Sequence, residues 1–170
     1  MLFRRALPAE ARSDARIDRC CAEFHETYRQ NWNVHTKPYD GISNLLDVVS
    51  KSLRLAVLSN KPHRYTEQCV DHYLNDWRFD VVFGQRDDVP PKPNPAGAFE
   101  IAELLGHSPE EIVYLGDSAV DMQTANLAGM FAVGADWGYQ SRDQLESNGA
   151  AAIISHPTEL LDVLGIQPAP

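Results

Sequence analysis

The chain has 170 residues, long enough for one domain with a real core and short for two. Apolar residues make up 44% and charged residues 23%, the proportions of an ordinary globular protein. A net charge of −9 argues against nucleic acid, whose phosphates it would repel, but allows a small phosphorylated substrate where a lysine and a metal reverse the sign inside one cleft.

The opening Met1-Leu2-Phe3-Arg4-Arg5 has basic residues with no apolar stretch behind them, so it is not a secretory signal. It enters at once into helix-like sequence. Residues 13–32 read as an amphipathic helix, with Ile17, Cys20, Cys21, Phe24, Tyr28 and Trp32 in one stripe and Ser13 as N-cap. Lys37-Pro38-Tyr39-Asp40-Gly41 is a break and a hinge candidate, dividing the chain into 1–38 and 39–170. Ile42 to Val49 is a short helix with Ile42, Leu45, Leu46 and Val49 on one face. From there the pattern alternates. Leu53–Leu58 is a strand, and Pro62 opens a helix running to about Asn75. Phe79–Phe83 is a strand, Gly84–Pro95 a loop rich in Pro and Asp, and Ala96–Leu105 a helix stopped by Gly106. Ile112–Leu115 is a strand and Val120–Ala128 a helix ended by Gly129. Phe131–Val133 and Ala152–Ile154 are short strands, and Pro157–Leu164 is a closing helix with Ser155 as its cap. Alternating strands and helices imply an α/β fold, Rossmann-like, with a mostly parallel sheet covered on both faces. Ligands then bind beyond the carboxyl ends of the strands.

No apolar run approaches the ~18 residues needed to span a membrane. Three cysteines, two of them adjacent and none at metal-ligand spacing, read as reduced thiols in a cytoplasmic protein. The six histidines show no ligand spacing either, and no metal is assigned to them.

The residues that suggest chemistry lie after predicted strands. Asp117 and Asp121, four apart in Gly116-Asp117-Ser118-Ala119-Val120-Asp121, can share one face of a helix's first turn. Paired hard oxygens of this kind suit Mg²⁺, which keeps several waters and accepts one or two carboxylates. Helix capping by Asp117 or Ser118 is the competing reading. Lys92 lies in Pro90-Pro91-Lys92-Pro93-Asn94-Pro95, where prolines restrict the backbone and hold the lysine in place before a ligand arrives. Its ammonium would offset charge on a phosphoryl group; an exposed lysine in a rigid loop is the alternative. Ser59 and Asn60 end a strand, where a hydroxyl and backbone N–H groups can hold phosphate oxygens or simply cap the next helix. Trp137-Gly138-Tyr139 reads on physical grounds as a packed turn.

Taken in order, these segments resemble the haloacid dehalogenase superfamily, and within it the phosphoglycolate phosphatases, from about residue 2 to residue 164. Leu58-Ser59-Asn60-Lys61-Pro62 resembles the family's second motif, Lys92 in Lys-Pro-Asn-Pro the third, and Gly116 to Asp121 the fourth. Pro38-Tyr39-Asp40-Gly41 is similar to the segment leading from a helical cap back to the core, and Trp137-Gly138-Tyr139 to a phosphoglycolate phosphatase signature. The resemblance implies Mg²⁺-dependent hydrolysis of a small phosphomonoester, most simply 2-phosphoglycolate, through an aspartyl-phosphate. In that scheme Asp117 binds the metal, and Asp121 supports it from behind and pairs with Lys92. Lys92 neutralises phosphoryl oxygens, and Ser59 and Asn60 hold the transferring group.

One departure is plain. The family's Asp-x-Asp-Gly-Thr motif, whose first Asp is the nucleophile and whose second is the general acid and base, is not among these residues. The expectation is a chain that starts partway through a helical cap and lacks the central strand of the sheet, between Leu53–Leu58 and Ile112–Leu115. Such a chain would be inactive and loosely folded. Another phosphatase or a phosphomutase of the superfamily, or a non-catalytic phosphate- or partner-binding fragment, is the alternative. A response-regulator receiver is opposed by motif order, since Lys92 precedes the acids. A dehalogenase is disfavoured because halide displacement needs no metal.

Overall fold

The computed structural model describes residues 2–167. They divide into two compact units, one ending at Lys37 and one beginning at Pro38.

The first unit is helical. Helix α1 spans Leu2–Ala6, a single 3₁₀ turn follows at Ala9–Ala11, and α2 runs from Asp14 to Asn31. Phe3 and Phe24 meet edge to face at 5.9 Å, and Arg4 bridges to Asp14 at 2.5 Å. The predicted stripe exists, but no side chain of α2 is buried, and Phe24 keeps 42% of its surface exposed. One short and one long helix offer too little opposing surface to enclose a stripe. Ser13 occupies the N-cap position without a side-chain cap bond.

The second unit is α/β with parallel strands. Helix α3 covers Ile42–Val49 and buries Leu45, Leu46 and Val49. Strand β1 is Ala56–Pro62, α4 is His63–Tyr73 and β2 is Val81–Gln85. Helix α5 is Ala96–Leu105, β3 is Val113–Gly116, α6 is Ala119–Ala128 and β4 is Phe131–Ala135. Helix α7 is Arg142–Ser147, β5 is Ala152–Ile154, and α8 is Leu160–Val163 behind a 3₁₀ turn at Pro157–Glu159. Among the described residues no helix is long and apolar enough to cross a membrane.

Several boundaries differ from the sequence reading. Strand β1 begins at Ala56 because the amide of Leu53 still bonds the Val49 carbonyl and prolongs the turn after α3. It extends to Pro62, which pairs with Gln85 after a break in register. Helix α7 was not anticipated, although Ser141 and Gln144 form a capping box that marks it. The closing helix is capped by His156, not Ser155. The His156 ring accepts from the Thr158 amide, whereas Ser155 donates its hydroxyl to Asp136.

Strand pairing decides where the site lies. Strands β1 and β2 form one parallel pair, and β3, β4 and β5 form a separate parallel sheet in that order. Alternate residues of β4 face opposite cores. Ala132 packs with Ala98, Ala102, Met122 and Leu145 on one side. Val133 packs with Leu45, Val49, Ile154 and Leu160 on the other. Helices therefore cover both faces, the arrangement that buried parallel strands require.

Strand β1 has a ladder with β2 only, and β3 with β4 only, so each keeps one edge without a strand partner among the described residues. An unsatisfied buried peptide group costs about 1–3 kcal/mol, and open edges invite intermolecular pairing. The 170-residue chain should therefore be prone to association. Its β1 and β3 amides should exchange at least ~10-fold faster than those of β4, which is paired on both sides. Light scattering and amide exchange measure this; a monomer with uniformly slow exchange would contradict it.

Candidate active site

The carboxyl ends of β1 and β3 bring together residues far apart in the chain. Within β1, just past the last regular rung at Leu58, Ser59 Oγ accepts from the Lys61 amide at 3.1 Å, leaving the hydroxyl proton to donate elsewhere. The amide of Asn60 faces Lys92. Asn60 Nδ2 donates to the Lys92 carbonyl at 3.0 Å, and the Lys92 N–H donates to Asn60 Oδ1 at 2.9 Å.

The side chain of Lys92 turns inward. Its ammonium donates to the backbone carbonyl of Leu58 at 2.8 Å, to the Tyr114 hydroxyl at 3.1 Å and to Asp121 Oδ1 at 2.6 Å. Three donors thus meet three acceptors, one on β1, one on β3 and one on α6. The pair is well enclosed, with side-chain exposures of 12% for Lys92 and 10% for Asp121.

Asp121 is held from the other side by Ser118. The Ser118 hydroxyl donates to Asp121 Oδ2 at 2.5 Å and accepts from the Asp121 amide at 3.3 Å, so Ser118 is both the cap of α6 and a clamp on the carboxylate. A side chain at Gly116 would collide with Asp121, so the glycine lets the carboxylate lie close over the end of β3. Tyr114 was not anticipated as a member of this cluster. Burial, together with the Asp121 charge, holds its phenol protonated far above the ordinary range. An inward-facing tyrosine in an apolar strand was the available signal, because a buried hydroxyl requires a partner.

Asp117 is placed differently. Its Oδ2 accepts from the Tyr139 amide at 3.0 Å, and its carbonyl accepts from the Gln140 amide at 3.1 Å. The Gln140 side chain in turn accepts from the Ala119 amide at the start of α6. The Trp137-Gly138-Tyr139 turn is therefore bound directly to the Asp117 loop, while Tyr139 remains 82% exposed. A Cβ at Gly138 would overlap the Asp117 side chain. Gly138→Ala should push the loop away and lower stability by about 1–3 kcal/mol, read as a drop in thermal midpoint. An unchanged midpoint would mean that the turn yields freely.

Ser59, Asn60 and Lys92 line one open cleft, together with Gln85 and Arg86. Asp121 joins them through Lys92, which places Lys92 on the same side of the sheet as α6. Asp117 does not line that cleft. Arg86 adds no free charge, since both terminal nitrogens go to Glu100 and the guanidinium lies 3.9 Å over the Phe83 ring.

Among the described residues no three His, Cys, Asp or Glu side chains gather in a way that could hold a metal ion. Asp121 is engaged by Lys92 and Ser118, whereas Oδ1 of Asp117 takes no hydrogen bond among the described residues. Asp117 is therefore the carboxylate of the two with an oxygen free to hold a divalent ion.

Phosphoglycolate phosphatase of Aquifex aeolicus is 31% identical over 142 residues, covering 83% of this chain and 65% of its own length. N-acetylmuramic acid 6-phosphate phosphatase of Pseudomonas aeruginosa is 31% identical over 144 residues, covering 84% of this chain and 64% of its own. The chain thus spans a little under two thirds of the length of these curated relatives. Among solved structures, a candidate phosphoglycolate phosphatase from Lactobacillus delbrueckii subsp. bulgaricus superposes with a TM-score of 0.84 at 29% identity, covering 93% of this chain and 66% of that one. The sequence model of the haloacid dehalogenase-like hydrolases matches residues 4–135, and the chain belongs to that family.

Proposed function

We propose that these residues form the phosphate-handling part of a phosphomonoester hydrolase acting on a small phosphorylated metabolite, 2-phosphoglycolate first among the candidates. The observation that carries this reading is the enclosed Lys92 ammonium, held between the end of β1 that bears Ser59 and the Asp121 carboxylate beyond β3. Convergence of a cation and a hydroxyl at the carboxyl ends of parallel strands is where an α/β sheet binds its ligand. The Ser59 hydroxyl proton would hold a phosphoryl oxygen, and the Lys92 ammonium, its three donors already engaged, would offset by its charge the negative charge that develops nearby. Asp121 would keep Lys92 charged and aimed. Asp117 would hold Mg²⁺, which when bound neutralises phosphate charge and orients the group for in-line attack. Residues 1–38 would be part of a helical cap.

The Asp-x-Asp-Gly-Thr motif that would supply the nucleophile is not among the 170 residues. In the reaction implied, a carboxylate oxygen forms a bond to phosphorus, the ester P–O bond breaks, and the leaving oxygen takes a proton from a general acid. Water then releases phosphate. Positioning and electrostatics supply most of the acceleration in such chemistry, but they do not replace a covalent nucleophile. A cytoplasmic setting suits the substrate class and the reduced thiols.

The same closed hydrogen-bond set favours a second reading. All three Lys92 donors are engaged inside the chain, as they would be in a phosphate- or partner-binding domain without turnover. The test is phosphate release from 2-phosphoglycolate and from N-acetylmuramic acid 6-phosphate, with Mg²⁺ and with EDTA. It uses the 170-residue chain and a chain extended at its N-terminus by a strand bearing Asp-x-Asp-Gly-Thr. Metal-dependent release by the extended chain, with the higher kcat/KM for 2-phosphoglycolate, is expected. A folded extended chain without turnover would transfer the reading to a binding domain.

A further inference from the structure

We infer that Asn60 is a positioning residue for Lys92 and does not itself hold the phosphoryl group; this rests on the phosphatase reading of the same site. The reason begins in the loop sequence. Of residues 90–95, four are prolines and carry no N–H, so only Lys92 and Asn94 have an amide to donate. Asn94 donates within the loop, to the Pro91 carbonyl at 3.0 Å. Lys92 therefore needs a partner from outside the loop, and Asn60 supplies one.

The Asn60 amide also does more than accept that proton. Its oxygen takes the Lys92 N–H and its nitrogen donates to the Lys92 carbonyl, so the side chain pairs with one residue as the edge of a strand would. Two positions earlier on the same strand, the Leu58 carbonyl accepts from the Lys92 ammonium. Strand β1 thus holds Lys92 at both ends, backbone through the Asn60 side chain and ammonium through the Leu58 backbone. That double anchor, together with Tyr114 and Asp121, sets the direction in which the charge points. The prolines remove the loop's own means of holding Lys92, and Asn60 restores it from 32 residues away.

The experiment uses the full 170-residue chain in two arms. The first is site-resolved amide exchange. Asn60→Ala should accelerate exchange of the Lys92 N–H roughly tenfold or more, while the Asn94 amide and those of β4 stay unchanged. Asn60→Asp keeps the acceptor and loses the donor, and should restore part of the protection. The second arm is titration with inorganic phosphate in the presence of Mg²⁺, for Asn60→Ala, for Lys92→Gln in an Asp121→Asn background that leaves no unpaired buried charge, and for the combination. If Asn60 acts through Lys92, removing both weakens binding no more than removing Lys92 alone. Additive losses, or a Lys92 amide indifferent to Asn60→Ala, would overturn the proposal. Absence of phosphate binding in the unsubstituted chain would count against the phosphatase reading, and the exchange arm would still decide the role of Asn60.

Discussion

Phosphate release from 2-phosphoglycolate by the 170-residue chain should stay at background, whereas the chain extended by a strand bearing Asp-x-Asp-Gly-Thr should turn over at least ~10⁴-fold faster. The size of the difference comes from mutant series on other covalent enzymes, in which loss of the nucleophile costs ~10⁴–10⁶ in kcat. Asp121 is closed in by Lys92 and Ser118, and Asp14 and Asp18 lie on α2 with no buried surface to raise their reactivity. Asp117 has an unengaged oxygen, but its loop is bound to the turn at residues 138–140. In the extended chain, Asp117→Asn should remove most of the activity and the response to EDTA with it, because a neutral amide is a poor ligand for Mg²⁺. Metal-dependent turnover by the 170-residue chain would mean that one of its own residues is the nucleophile, and the assignments of Asp117 and Asp121 would then have to be exchanged for others.

The second large effect concerns stability. Lys92→Met should lower the stability of the second unit by about 3–5 kcal/mol, because it leaves the Asp121 carboxylate buried without its cation. For a chain of this size that is a fall of roughly 10 °C in thermal midpoint. Asp121→Leu alone should cost a similar amount by stranding the ammonium. The double variant Lys92→Met, Asp121→Leu should recover most of the loss, since two apolar side chains of comparable volume replace both charges and their desolvation. That recovery is the informative result. It would mean that the pair is retained for what it does at the cleft, because an apolar pair would hold the fold as well. Tyr114 modulates the outcome: its hydroxyl accepts from Lys92 and lies 3.4 Å from Asp121, so it becomes an unsatisfied buried group in the double variant, and some deficit should remain. If the single variants melt within about 1 kcal/mol of the parent, the enclosure of the pair is looser than its exposure indicates.

The sequence alone was sufficient for features governed by neighbours along the chain. Helix α5 is found at Ala96–Leu105 as read, because its apolar spacing is helical and Gly106 adopts the left-handed conformation (φ 68°) that ends it. Strand β5 is likewise found at Ala152–Ile154, and α6 ends at Gly129 for the same reason as α5. The order Ser59, Lys92 and the pair Asp117/Asp121, each of the three after its own predicted strand, was enough to indicate the family. What the sequence could not decide were the partners. Asn60 meets Lys92 across 32 positions, Lys92 meets Leu58 across 34 and Tyr114 across 22, and Gln140 meets Ala119 across 21. No periodicity reports such pairings, because a side chain's choice among nearby acceptors depends on which strand ends the topology places side by side. The split into a β1–β2 pair and a β3–β4–β5 sheet has the same origin, since a strand's local pattern records that it is buried but not which edge is paired. Local sequence therefore set which groups stand at the strand ends. Tertiary structure decided that Lys92 is held by β1 at both ends, that Asp121 answers to Lys92 and Ser118, and that Asp117 is bound to the turn beyond β4 with one oxygen left over.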